Sequence, residues 1–296
     1  MPRILVFGKN GQLASALAVA AVSAEYQLAF FGHSEFNLIE QVNGIRDFIG
    51  NYDGIDCVIN ASAYTNVDKA EQADWQAAVK LNTLAVSQMA QACQKKNIPF
   101  IHISTESVFD GHKNEAYLPT DKTCPANFYG LTKYLGEDFT HRTGGRNIIL
   151  RTSWVFANTG HNFVKAILNA ASKNKTIQVV DDQIGLPTYA PVLANAVLAV
   201  ANKMIAEPDA QLDFIYHIAG GGPQIDRSKF AELIIQMTGL STKVEPISSE
   251  RFAAPAPRPK NAVLDTESFT STFDLELPNW QLGLKHMLSR IGQTHE

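Results

Sequence analysis

Ile4-Leu-Val-Phe-Gly8-Lys-Asn-Gly11-Gln-Leu-Ala14 is the stretch that decides the fold. Four consecutive apolar residues read as a buried strand, and the glycines after them join it to an Ala-rich helical pattern running from 11 to 23. Gly8 permits a tight turn, Gly11 lets backbone approach a pyrophosphate, and Ala14 is small enough for a helix to lie close on a sheet. The start of that helix offers free N–H donors to an anion. Such glycine spacing is weak by itself and gains weight from standing at the first strand-to-helix junction of the chain.

Outward from this loop, strand-like runs at 27–31, 57–60, 100–104 and 147–152 alternate with helical patterns at 41–49, 71–96 and 125–141. Alternation of this kind predicts an α/β fold, a doubly wound parallel (Rossmann) sheet with helices on both faces. Apolar runs at 177–180 and 214–218 follow, and the last 75 residues change character, with helical patterns at 228–238 and 280–291 around the Pro-rich 253–260. The expected division is a dinucleotide-binding domain of 1–152 and 176–220, and a smaller, discontinuous substrate-binding cap of 153–175 and 221–296.

The 296 residues carry 25 Lys+Arg against 29 Asp+Glu, a net charge of -4, and 45% are hydrophobic. The absence of a basic excess argues against nucleic-acid binding. Three scattered cysteines give neither a disulfide framework nor a zinc pattern. With no signal-peptide pattern and no apolar stretch long enough for a bilayer, a cytoplasmic protein without a membrane partner is expected.

Two further segments carry chemistry. Tyr129 and Lys133 stand one turn apart in a helical pattern, and an ammonium beside a phenol lowers the phenol pKa toward neutrality, as a proton donor to a developing alkoxide requires. Ile101-His-Ile-Ser104-Thr105 ends a strand with two hydroxyls, where ligands of a doubly wound sheet collect, so Thr105 is expected to orient a substrate carbonyl. The second strand ends Phe31-Gly32-His33-Ser34-Glu35, without the acid that would bond the 2′-hydroxyl of NAD; His33 and Ser34 could accept a 2′-phosphate, which favours NADPH over NADH. Trp75 and Trp280 read as packing residues, Asp181-Asp182 as a turn cap, and Asp68 and Glu71 as helix caps.

These elements together resemble the extended short-chain dehydrogenase/reductases and, within them, the dTDP-4-dehydrorhamnose reductase family. The strings that carry the likeness include Gly8-Lys-Asn-Gly-Gln-Leu, Val58-Ile-Asn-Ala-Ser-Ala-Tyr-Thr-Asn-Val-Asp, Ser104-Thr-Glu-Ser-Val-Phe-Asp-Gly, Tyr129-Gly-Leu-Thr-Lys133 and Gly160-His-Asn-Phe163, in order along essentially the whole chain. The resemblance implies reduction of C4 of dTDP-4-dehydro-L-rhamnose by NADPH or NADH, with Tyr129 as proton donor, Lys133 as its partner and ribose ligand, and Thr105 on the carbonyl. It further implies that Gly11, Gln12 and Leu13 line the pyrophosphate, Asn37 and Leu38 the adenine, and Ala63, Tyr64 and Thr65 the nicotinamide half. Glu106, Trp154 and Arg258 fall on the nucleotide-sugar side, and monomer and homodimer both fit. The chain departs from the family where Glu106-Ser107 replaces Asp-Tyr, where Asn37 replaces Asp, and where Ser15 replaces a magnesium-binding Glu, so no metal is expected. Those departures keep open a reductase of a different dTDP-4-keto-6-deoxy sugar, and fold alone keeps open a catalytically idle NADP-binding regulatory subunit.

Overall fold

In the computed structural model, which describes residues 1–22 and 26–292, five strands of the expected alternation pair in parallel. They are β1 (Arg3–Phe7), β2 (Gln27–Phe31), β3 (Cys57–Asn60), β4 (Phe100–Thr105) and β5 (Asn147–Thr152). A sixth strand, Ile215–Ile218, closes the far edge against β5, and the order across the sheet is β2-β1-β3-β4-β5 and then 215–218. The chain reverses direction beside β1, so the crevice at the carboxyl ends of β1 and β3 is the expected ligand site of such a sheet.

Side-chain alternation divides β1 between two cores. Ile4 and Val6 face the helices Gln12–Ala20 and Ala190–Ala206, while Leu5 and Phe7 face Ile45–Gly50 and Ala85–Lys96. Burial on both faces is why these strands read as continuous apolar runs. Ser23, the expected last residue of the first helix, lies outside the described residues.

Two expectations need correction. The pattern at 71–96 is not one helix: Val67–Glu71 and Trp75–Val79 come first, then a π-helical turn, Lys80–Leu84, and only then Ala85–Lys96. The run Thr176–Val180, read as part of the returning sheet domain, instead pairs in parallel with Lys243–Ile247 in a separate two-stranded sheet. Its alternate residues Ile177 and Val179 enter a second hydrophobic core, with Phe156, Phe230, Ile234, Trp280 and Met287. Trp280 is 1% exposed there and donates its indole N–H to Pro223 O, which is the packing role expected of it. Among the described residues, no helix is long and apolar enough to cross a membrane.

Candidate active site

The helix Phe128–Thr143 carries Tyr129 and Lys133, and two glycines set its position. Asn127 caps it by accepting from the Gly130 N–H. A Cβ on Gly130 would stand 2.0 Å from Ser107 O, and one on Gly136 would stand 2.3 Å from Asn82 O. The helix therefore rests backbone against backbone on the turn Glu106–Val108 near its start and on the π turn at its middle. Asn82, in that π turn, accepts from Tyr64 N and donates to Tyr64 O and to the Thr132 hydroxyl, tying the loop after β3 to this helix. Sequence reading missed Asn82, because a widened helical turn leaves no mark on hydrophobic periodicity.

Tyr129 meets Thr105 at the carboxyl end of β4, the strand end expected beside it. The Thr105 hydroxyl donates to Glu106 Oε2 at 2.8 Å and accepts from Ser107 N at 3.1 Å. Burial pushes the Tyr129 phenol above its ordinary range; the charge of Glu106 pushes it further, and the Thr105 hydroxyl opposes both. Glu106 is itself raised by burial, with Thr105 and the Arg227 cation among the groups opposing the shift. The expected lowering of the phenol by Lys133 is thus not among the protein's own contributions.

The reason lies in how Lys133 is held. Lys133 is 1% exposed, and its Nζ donates to Ile103 O at 2.7 Å and lies 3.0 Å from His102 Nε2. Burial brings the amine down to about 7, with Glu137 opposing. Glu137 is already engaged by Arg151, through Nε and Nη2, in a buried pair. His102 in turn lies 3.1 Å from Asn60 Nδ2 and is held well below its usual range by burial and by Lys133.

At the glycine loop, Gly8 has φ +101, and a Cβ would sit 2.7 Å from Ala61 carbonyl atoms, so the crossing of β3's end fixes this glycine. Gly11 begins the helix Gln12–Ala20 without a side-chain cap, which leaves its first-turn N–H groups available to an anion. The Gln12 side chain accepts from Asn162 Nδ2 at 2.9 Å and so reaches the cap, and Leu13 is packed in the core. Ala63 and Tyr64 are half-buried and Thr65 is exposed on the loop after β3; the Tyr64 hydroxyl donates to Asp74.

The adenine-side expectations are altered more. Asn37 is buried: its Oδ1 accepts from Ile39 N and Glu40 N, and its Nδ2 lies 2.8 Å from His33 Nε2. It locks a turn, with its side chain committed inside the protein, and Leu38 is buried beside it. His33 is exposed, but an acid does reach this loop: Glu35 accepts from Gly32 N and pairs with Lys9 of the glycine loop. Glu35 stands four residues beyond the strand, outside the position where an acid was sought.

On the sugar side, Trp154 has φ +46, a strained backbone for a bulky residue. A Cβ on Gly185 would lie 2.6 Å from its indole, and the Arg227 guanidinium stacks 3.5 Å from its ring centroid. Arg227 also faces Glu106 and feels Arg258, and burial brings it down to about 10. Nothing in the sequence singled out Arg227, since Ile225-Asp-Arg-Ser reads only as a helix start. Arg258 donates to Ala256 O and pairs with Asp68 at 3.0 Å, so Asp68 holds the cap segment; the N-cap of its helix is Asn66. Glu71 likewise is no cap, accepting from Phe128 N. Asp182 accepts from Ser249 N and Oγ. A separate surface cavity of about 880 Å³, lined by Pro119, Tyr134, Arg151 and Asp213 among others, includes neither Tyr129 nor Thr105.

The family model described as RmlD substrate binding domain matches residues 2–293. A dTDP-4-dehydrorhamnose reductase of Sinorhizobium fredii is 35% identical over 293 residues, 97% of this chain and 96% of that relative. A solved dTDP-4-dehydrorhamnose reductase of Clostridium acetobutylicum superposes with TM-score 0.89 at 31% identity, covering 98% of this chain and 99% of that one. That of Bacillus anthracis, solved in complex with NADP, gives 0.88 at 30%, covering 98% and 100%. With a likeness that runs the length of both partners, the chain belongs to the RmlD substrate binding domain family, that of the dTDP-4-dehydrorhamnose reductases.

Proposed function

We propose that this protein reduces the C4 keto group of dTDP-4-dehydro-L-rhamnose to give dTDP-L-rhamnose, using NADPH, with Tyr129 as the proton donor. The observation that carries the reading is the meeting of Tyr129 and Thr105 at the carboxyl end of β4, with Lys133 buried one turn away. Relatives named dTDP-4-dehydrorhamnose reductase, one of them solved with NADP, support substrate and cofactor.

The uncapped first turn after Gly11 suits the pyrophosphate of a dinucleotide, and Lys133 suits its ribose. NADPH, when bound, supplies the hydride. Tyr129 gives its proton to the oxygen that gains charge at C4, and Thr105 holds that oxygen in line. Because the Thr105 proton is engaged by Glu106, the hydroxyl must rotate to donate to substrate. Trp154 under Arg227 forms a flat wall for the sugar, and Arg227 with Arg258 offers two cations to a diphosphate.

The test follows NADPH oxidation with the keto sugar supplied. Tyr129→Phe should lower kcat by about 10²- to 10⁴-fold with dinucleotide affinity unchanged; full activity in that variant would overturn the assignment. Glu106 and Ser107 favour one second reading, a different dTDP-4-keto-6-deoxy sugar, which product stereochemistry with alternative keto sugars decides.

A further inference from the structure

A buried chain of polar groups runs behind Lys133 and belongs to neither ligand. Asn60, His102 and Lys133 are 0%, 0% and 1% exposed. The Asn60 amide has one orientation open to it. The backbone N–H of Ser62, which can only donate, points at Asn60 Oδ1 from 3.0 Å, and the Ser62 hydroxyl donates to the same oxygen. Asn60 Nδ2 therefore faces His102 Nδ1 as a donor. An imidazole that accepts at Nδ1 carries its proton on Nε2 when neutral. That Nε2–H points at Lys133 Nζ from 3.0 Å. An ammonium has no lone pair to accept it, whereas a neutral amine does.

We infer that His102 is a positioning residue for the Tyr129–Lys133 pair: Asn60 fixes its tautomer, and its Nε2–H selects the neutral amine of Lys133. The amine's lone pair accepts from His102 while one of its N–H groups donates to Ile103 O, so both contacts are satisfied without a charge. The charged and titratable groups around Lys133 agree with this balance. On its own helix, Glu137 is spent on Arg151 of β5, and Tyr129 is a protonated phenol. Beyond β4, Glu106 is engaged by Thr105 and faces Arg227. The packed π turn contributes Asn82 and Thr83, bonded to Thr132, while its Lys80 is exposed. The lowered Lys133 basicity is consistent with the same arrangement. Once Tyr129 has given its proton to substrate, the neutral Lys133 amine takes up the replacement proton from solvent and stands as an ammonium beside the phenolate, so the site carries its positive charge on demand.

The inference rests on the reading above only for its effect on turnover; its structural half is tested without substrate. Ring ¹⁵N shifts of His102, assigned by their loss in His102→Gln, should show a bare Nδ1 and a protonated Nε2 in the wild-type protein. A protonated Nδ1 would overturn it. Asn60→Asp keeps both Ser62 contacts and presents a carboxylate to Nδ1, which reverses the tautomer and leaves Nε2 free to accept from an ammonium. The coupled His102–Lys133 site should then hold its proton to higher pH, so the neutral amine appears later and the acidic limb of kcat/KM moves up by about one pH unit or more with the dinucleotide KM unchanged. A reversed tautomer with an unmoved limb would sink the control of Lys133 by His102. Absence of any nucleotide-sugar turnover would instead fault the proposed function, and the ring shifts would still be readable.

Discussion

Lys133 is a buried amine whose carboxylate neighbour Glu137 is already paired, and that has a consequence for stability as well as chemistry. Its value in the fold, about 7, lies below the ordinary 10.5, so between those limits the unfolded chain binds a proton that the folded chain does not. Stability from this group therefore rises with pH across the window, by up to about 1.4 kcal/mol per pH unit. Thermal unfolding at pH 7 and pH 9 should show a smaller gain for Lys133→Met than for wild type; an identical gain would mean that the amine is not depressed. Tyr129 and Lys133 were legible as a pair because they stand one helical turn apart, and Thr105 because it ends an apolar strand. Arg227 and His102 were not: one gains its meaning from Trp154, 73 positions earlier in the chain, and the other from a contact across β3, β4 and a helix.

Strands and helices followed from apolar runs and turn residues wherever a single periodicity ruled the element. The pattern at 71–96 defeated that rule, since Lys80–Leu84 opens into a π turn to bring Asn82 against the Tyr–Lys helix. Gly136 is the counterpart of that turn. A methyl group there would meet the Asn82 carbonyl at 2.3 Å, backbone that cannot swing aside, so Gly136→Ala must displace one element from the other. We expect a loss of about 1–3 kcal/mol in stability and, from the shift of Tyr129 and Lys133, about a 10- to 100-fold fall in kcat. Gly50→Ala, on a helix with nothing within 4 Å of the new methyl, is the control and should leave both unchanged or gain slightly in stability. Equal behaviour of the two variants in denaturation and turnover would refute the close-packing argument.

Across the whole molecule, polar ties join distant segments of the chain: Gln12 to Asn162, and Asp68 to Arg258 and Ala256 N. The sequence did not show the strand pairing in this part of the chain, because Lys243–Ile247, with Lys, Glu and Pro among its five residues, does not read as a strand until its pairing with Thr176–Val180 is seen. Asp68→Asn loosens the Arg258 guanidinium. The KM for the nucleotide sugar should rise about two- to fivefold, the equivalent of up to about 1 kcal/mol, with the dinucleotide KM unmoved; equal changes in both would show that the tie serves the fold and not the ligand. The glycine seats of the Tyr–Lys helix extend this separation to the packing of the protein. Since main chain meets main chain at Gly130 and Gly136, the spacing of the reacting groups does not depend on which side chains fill the surrounding cores. Those cores can exchange their side chains, and stability can be gained or lost with them, while the seat of Tyr129 and Lys133 stays where the two backbones place it.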